Sequence, residues 1–329
     1  MLASSRSLRV IDSGAASALQ SQTIWHALAY GVSETGQATL SFVQPAAPYV
    51  CLGYHRALEE LDLGFCAAAG LPVFRRMVGG GPVYLDDDQL FFQIILPVRE
   101  VPMVRAVALE RLLLPAVQAF RECGVDASLR DGEICVGDRK ICGHGAGQIA
   151  DAVVVCGNLI GGFDHECATR ILRLPDLAIR TEVERMMRRY VLATPAPMAD
   201  FKAALISAYA AAFEWTPEPG EMTTVERAEL VRLDREFVTS EWVTGQIPSR
   251  GPTIRIKIRE GVRVARAQRG DTTLLVSSVA GTVVHAELTG VHDLTPVLGR
   301  RLGDVASTLR DNIPGLAFEA FELAMELAA

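Results

Sequence analysis

The sequence predicts an α+β fold with one large and one small domain. Strand-like runs and helical stretches are interspersed without the regular strand-helix-strand order of an all-parallel sheet. A chain of 329 residues suits two domains of unequal size. The segment Gly245-Gln246-Ile247-Pro248-Ser249-Arg250-Gly251-Pro252 concentrates prolines and glycines, and it sets the expected boundary between residues 1–248 and residues 249–329.

The elements follow in order. Leu8–Ile11, Thr39–Phe42 and Tyr49–Gly53 have strand character, with a helical stretch around Ala15–Tyr30 between the first two. Leu58, Leu61, Phe65 and Ala68 fall on one face of a helix that Gly70 stops. A strand at Leu71–Phe74, a glycine loop at 79–81, and a hairpin through Val83–Leu85, the acidic turn Asp86–Asp88 and the apolar run 90–96 come next. A helix is expected between Pro102 and Cys123, kinked or split at Pro115. Two strands flank Gly137–Gly147, and 197–213 is another helix. After the punctuation, Ile254, Ile256 and Ile258 alternate with Arg255, Lys257 and Arg259, a strand with one basic face. Strands near 272–278 and 282–288 and helices near 296–311 and 316–328 complete a small α+β unit.

Composition removes several function classes. Half of the residues are hydrophobic, which excludes a disordered chain. A net charge of −7 gives no overall field for nonspecific nucleic-acid binding. Apolar runs such as Phe91–Leu96 are too short to span a membrane, and the N-terminus lacks a secretory signal, so the expected location is the cytoplasm. Seven cysteines without a C-x-x-C pair fit neither a disulfide framework nor a four-ligand zinc site.

Two segments carry chemistry. In Arg75-Arg76-Met77-Val78-Gly79-Gly80-Gly81-Pro82-Val83-Tyr84-Leu85-Asp86, three glycines let the backbone approach a ligand, and two arginines offer forks for carboxylate or phosphate. A glycine-rich hairpin with solvated arginines explains the same pattern equally well. In the second, Glu133-Ile134-Cys135-Val136-Gly137-Asp138-Arg139-Lys140-Ile141-Cys142-Gly143-His144-Gly145-Ala146-Gly147, a lysine entering an apolar strand can set an ammonium beside an acyl or phosphate oxygen. A solvent-exposed hairpin lysine is the alternative. The spacing of Gly143, Gly145 and Gly147 is wrong for a dinucleotide fingerprint.

Together these segments resemble the lipoate-protein ligase family of the biotin and lipoate ligase superfamily. Arg75, Arg76, Gly79, Gly80, Gly81, Val83 and Asp86 match its first pattern, and Glu133, Ile134, Gly137, Asp138, Lys140, Ile141 and Gly143 its second. The resemblance implies a mixed-sheet catalytic domain with a small C-terminal α+β accessory domain. It implies that ATP and lipoate or octanoate form an acyl-adenylate, which a lysine of an acceptor protein then attacks. Lys140 would be the catalytic residue. Arg75, Arg76, Gly79, Gly80, Gly81, Val83 and Gly143 would bind substrate, with Glu133, Asp86 and Gly145 at the nucleotide and Glu133 on Mg²⁺. The implied partner is a lipoyl domain, an H-protein-like carrier or a lipoate-binding protein, and the enzyme is expected to be a monomer.

Departures from the pattern include Leu85 and Pro82 around the glycine loop, Cys142 after the lysine, and Cys156-Gly157 in place of a His-Gly pair. They resemble a divergent branch, such as ligases serving lipoate-binding proteins of sulfur oxidation. The rival reading is a cysteine-dependent octanoyl or lipoyl transferase that needs no ATP, with Cys135, Cys142 or Cys156 as nucleophile. A binder that does not activate its acid is a third. Asp86–Asp88 reads as an exposed turn or a Mg²⁺ contact. The stretch 255–269 sets six cationic side chains against Glu260, a solvated face or a steering surface for an acidic acceptor.

Overall fold

The structure, a computed structural model, describes residues 6–101, 105–245, 253–313 and 318–328. In chain order the elements are β1 (Arg6–Ala16), α1 (Gln20–Thr35), β2 (Ala38–Pro45), β3 (Tyr49–Leu52), α2 (Leu63–Ala68), β4 (Val73–Arg75), β5 (Val83–Leu85), β6 (Gln89–Pro97), α3 (Arg105–Glu122), β7 (Ser128–Arg130), β8 (Glu133–Val136) and β9 (Arg139–Lys140). There follow β10 (His144–Ile149), β11 (Ala152–Ile160), α4 (His165–Arg170), α5 (Leu177–Tyr190), α6 (Met198–Phe213), β12 (Trp215–Pro219), α7 (Thr224–Glu236), α8 (Ser240–Thr244), β13 (Ile254–Arg259), β14 (Val262–Arg269), β15 (Thr272–Val279), β16 (Thr282–Leu288), α9 (Val305–Asn312) and α10 (Phe318–Ala328).

Contacts group Met1–Arg173 with Leu192–Ile247, and Leu174–Val191 with Pro248–Ala329. The second unit therefore takes in α5. The boundary expected after residue 248 lies outside the described residues.

The first unit is built on a mixed six-stranded sheet in the order β10-β11-β6-β2-β1-β12. β1 runs parallel to β2 and β12, whereas β6, β10 and β11 join antiparallel. The run Leu90–Leu96 is buried throughout because β6 is central and covered on both faces. Phe92, Ile94 and Leu96 pack into the core that contains Leu112, Leu113 and Phe120 of α3 and Phe201 of α6, while Phe91 and Ile95 face Trp25, Leu28 and Val32 of α1. Small sheets β4-β3-β5 and β7-β8-β9 carry the two chemistry-bearing segments.

Several local differences from the sequence reading have simple causes. α1 starts at Gln20 because β1 extends to Ala16, pairing there with Pro45. The helix expected from Leu58 breaks into a 3₁₀ turn, Leu58–Glu60, and α2, because Leu61 bridges to Leu172 and the Asp62 side chain caps the new start. α3 passes through Pro115 without splitting; in the turn before the proline, the Tyr209 hydroxyl donates to the Leu112 carbonyl. Residues 102–104 of that expected helix lie outside the described residues. The helix expected at 296–311 is two 3₁₀ turns followed by α9, with Gly299 at a positive φ of 78° between the turns.

The second unit is an antiparallel meander, β13-β14-β15-β16. Val276, Val283 and Leu274 pack with Leu309 of α9 and Leu323 of α10. Its basic stretch is partly neutralised: Lys257 and Arg263 pair with Glu260, and Arg269 with Glu322. No described helix is long and apolar enough to cross a membrane.

One packing contact on the central sheet is testable. Gly157 lies opposite Phe92 in the β6–β11 register, and a Cβ there would fall 2.3 Å from the ring. Gly157→Ala is expected to cost about 1–3 kcal/mol through overpacking. In urea titrations the loss should shrink by about 1 kcal/mol in a Phe92→Leu background, as neighbours sharing one space are coupled.

Candidate active site

The glycine loop is positioned by its two arginines. Arg75, at the end of β4, is only 2% exposed, yet its guanidinium meets no carboxylate within hydrogen-bond range among the described residues. It donates instead to the carbonyls of Gly53, Tyr54 and Arg56 and to those of Trp242, Val243 and Thr244, at 2.7–3.2 Å. The latter three end α8, where unpaired carbonyls and the helix dipole favour a cation. Trp242 returns a bond from its indole N–H to the Arg75 carbonyl, 2.9 Å, and stacks on Phe237. All donors of Arg75 point at main chain, so the anion contact expected of it is not what this geometry provides.

Arg76 secures the loop itself. Its guanidinium donates to the carbonyls of Cys51, Gly79 and Gly81 at 2.9–3.2 Å. Gly80, at φ 109°, has a backbone conformation that favours glycine, and a Cβ there would also displace the Arg76 guanidinium, 2.5 Å away at Nη2. Space is open where Gly79 and Gly81 would carry a side chain. Val83 sits on β5 opposite Cys51 and packs into the core under α1.

The second segment meets the first. A Cβ on Gly145 would lie 3.2 Å from the Gly79 carbonyl, and one on Gly147 would lie 3.1 Å from the Val78 side chain. Glycines at these two positions therefore let β10 pass closely under the loop. Lys140, paired with Cys135 across the β8–β9 hairpin, has Glu133 as its diagonal neighbour on the same face. Its ammonium donates to Glu133 Oε1 at 2.9 Å. Glu133 is buried and the Lys140 side chain is 17% exposed, which removes the reading of an exposed hairpin lysine. The main chain around Lys140 is pinned by Leu192 N–H on its carbonyl, 2.8 Å, and by Ile141 N–H on the Ile134 carbonyl, 3.0 Å.

A buried polar chain links the segments from behind. Gly143 N–H donates to Asn158 Oδ1 at 2.6 Å, Asn158 Nδ2 to Gln89 Oε1 at 2.8 Å, and Gln89 Nε2 to Asp86 Oδ1 at 3.2 Å. Burial raises the Asp86 carboxyl above the ordinary range, the Gln89 bond opposes that, and Asp88 adds to it. Asp86 is thus turned inward rather than lying in an exposed acidic turn. Among the described residues, no group of three or more His, Cys, Asp or Glu side chains is arranged to hold a metal.

A family model for the lipoyl protein ligase A/B catalytic domain matches residues 17–210. The chain belongs to that family. Octanoyltransferase LipM of Moorella thermoacetica is 23% identical over 237 residues, 62% of this chain and 85% of the relative. Lipoate-protein ligase A subunit 1 of Thermoplasma acidophilum is 26% identical over 220 residues, 60% and 80% respectively. Among solved structures, a bipartite lipoate protein ligase of T. acidophilum, described with its E2 lipoyl domain, aligns over 74% of this chain and 99% of its own at a TM-score of 0.66 and 20% identity. A lipoate-protein ligase A bound with ATP aligns over 74% and 100% at 0.62 and 20%. At these identities the structures establish the likeness of fold. The protein is accordingly an enzyme of the lipoate ligase and octanoyltransferase family, and its relatives include both chemistries.

Thiol geometry bears on that choice. Cys135 and Cys142 are buried, and Cys156 lies between β10 and β6 at a half-buried position. Burial pushes the Cys142 and Cys156 thiols up to about 12, with Lys140 offsetting this at Cys142 and Arg76 at Cys156.

The sequence reading assigns no role at the site to Gln89, Asn158 or Trp242, nor to His26. Met77 N–H donates to His26 Nε2 at 3.0 Å, and the opposite nitrogen lies 2.7 Å from the Gln22 carbonyl. The ring must therefore be neutral, protonated on Nδ1, to hold the loop residue. Burial lowers its pKa from 6.5 to about 3. A histidine depressed in the fold contributes fully above its unfolded pKa of about 6.5 and loses that contribution as pH falls toward 3. Stability should fall in this window by up to about 1.4 kcal/mol per pH unit. Urea titrations of wild type and His26→Gln between pH 4 and 7 should differ by this slope; parallel curves would remove His26 from the account.

Proposed function

We propose that the enzyme is an ATP-dependent lipoate-protein ligase. A carboxylate oxygen of lipoate or octanoate attacks the α-phosphorus of ATP, and pyrophosphate leaves. The amine of an acceptor lysine then attacks the acyl carbonyl, loses a proton, and AMP leaves.

The observation that carries this reading is the state of the nucleophiles. A thioester route needs an accessible thiolate, whereas Cys135 and Cys142 are buried, and burial pushes the Cys142 and Cys156 thiols up to about 12. Lys140, by contrast, is a fixed cation with its main chain anchored on both sides. Such a cation stabilises the charge that grows on phosphate and carbonyl oxygens in both steps without reorganising.

The remaining residues take roles consistent with their placement. Open space above Gly79 and Gly81 lets acyl chain and phosphate come close to main chain that Arg76 holds in shape. Gly145 borders the same loop. Magnesium bound mainly through nucleotide phosphates takes one or two protein carboxylates. Glu133, whose carboxylate accepts from the Lys140 ammonium, would supply one. A lipoyl domain is the acceptor class supported by the T. acidophilum neighbour; an H-protein-like carrier or a lipoate-binding protein offers the same lysine chemistry.

Pyrophosphate–ATP exchange that requires lipoate or octanoate tests the reading directly. Lys140→Ala should lower the exchange about a hundredfold or more while circular dichroism shows wild-type secondary structure. Acylation of an acceptor domain from an acyl-carrier donor without ATP, with no acid-dependent exchange, would establish the transferase instead.

A further inference from the structure

The chain from Gly143 to Asp86 has a direction. Each amide in it accepts through oxygen and donates through nitrogen, and the series ends on a group that can only accept when ionised. Reversing one amide sets oxygen against oxygen somewhere along the line. The chain is enclosed: Gln89 is fully buried, and Asn158 and Asp86 are 8% exposed. Water therefore cannot readily repair a broken link, and hydrogen bonds in such surroundings polarise one another.

What the chain holds is the backbone just after Lys140. Asn158 grips Gly143 twice, since its side chain accepts from Gly143 N–H and its own N–H donates to the Gly143 carbonyl at 3.1 Å. A Cβ on Gly143 would stand 3.3 Å from Asn158 Oδ1, so the grip is also close in space. Between Gly143 and Lys140 lie only Ile141 and Cys142, both fully buried in the main core. A shift at Gly143 must therefore pass into β9.

We propose that Gln89 and Asn158 are positioning residues, anchored by the Asp86 carboxylate, that set the path of the chain from Gly143 back to Lys140. Asp86 acts through them rather than on a ligand. The kinetic side of this inference rests on the ligase reading above, whereas the backbone restraint does not.

Moving the carboxylate from one end of the chain to the other tests it. Asn158→Asp keeps an acceptor for Gly143 N–H but faces an acceptor toward Gln89 Oε1. If Gln89 turns over to meet it, its oxygen then faces Asp86. Adding Asp86→Asn removes that conflict, because the new amide at position 86 can donate to Gln89, and Gln89 can donate to the new carboxylate at position 158. The turned arrangement gives up the two longest bonds, Asp88 N–H to Asp86 at 3.3 Å and Gln89 Nε2 to the Tyr84 carbonyl at 3.4 Å, so recovery should be partial.

Two readouts are needed. In hydrogen–deuterium exchange, the peptide carrying Gly143 should exchange about tenfold faster in Asn158→Asp and return toward wild type in Asp86→Asn/Asn158→Asp. In pyrophosphate–ATP exchange with lipoate, kcat should fall about tenfold in the single variant with KM nearly constant, and the pair should regain part of it. Should Asn158→Asp fail to fold, Gln89→Met, of similar size and without the amide, should free the Gly143 peptide in the same way. Wild-type protection of Gly143 in Asn158→Asp or Gln89→Met, or a double variant no better than the single one, would overturn the proposal. If wild type catalyses no lipoate-dependent exchange, the ligase reading fails, and deuterium exchange still decides whether the restraint exists.

Discussion

Backbone lies against backbone where the two segments meet, and the rest of the site depends on this. A Cβ on Gly53 would stand 2.0 Å from the Gly80 carbonyl, so the strand leaving β3 and the glycine loop touch with no side chain between them. On the other side, Gly145 and Gly147 let β10 pass under Val78 and Gly79. Such packing exposes a set of carbonyls that no regular ladder satisfies, and buried carbonyls must find donors. The two arginines supply them. Arg76 closes the loop on itself, and Arg75 gathers carbonyls from the end of β3 and from α8.

Three cations in the first unit, two buried and one partly exposed, are treated differently. Arg9 is matched by Glu226, a pair that fastens β1 to α7. Arg75 is matched by carbonyl dipoles, which satisfy its five donors without a countercharge. Lys140 has Glu133 and retains some exposure, 17% at the side chain. An ammonium has three donors and rotates freely, so it can add an anionic oxygen while keeping its carboxylate. Arg75, with every nitrogen committed to carbonyls, has no such reserve.

Much of this was legible in the sequence. Helical spacing of apolar residues located α3 and α6, and short continuous apolar runs located the central strands, both of whose faces are covered. The order of the two segments carried the family. What sequence could not supply was direction. Arg75 and Arg76 are neighbours with the same chemistry, and only the fold reveals that their donors turn to main chain. Asp86 reads as part of an exposed acidic turn, yet its side chain points inward to Gln89. A signal for the polar chain was present: Gln89 borders the apolar run of β6 and Asn158 sits inside that of β11. A polar residue in a fully buried strand needs a partner. The partner of each lies on another strand, 69 residues away, a pairing no local pattern encodes.

Relatives with both chemistries share this fold, so the distinction between them must lie in a few side chains rather than in architecture. A thioester route, the rival reading, needs its sulfur ionised, which calls for exposure or a close cation. Here Cys142, two residues after the lysine, is turned into the core, its thiol bonded to the Gly143 carbonyl at 3.4 Å, and Cys135, across the hairpin from the lysine, is buried as well. Cys156 borders Arg76, but that guanidinium is already committed to three carbonyls and is a weak source of further stabilisation. On the ligase reading proposed above, activation of the carboxylate would come from outside the chain. A phosphoanhydride would provide it, and the Lys140 ammonium, held by Glu133, would stabilise the charge that grows in its transition state.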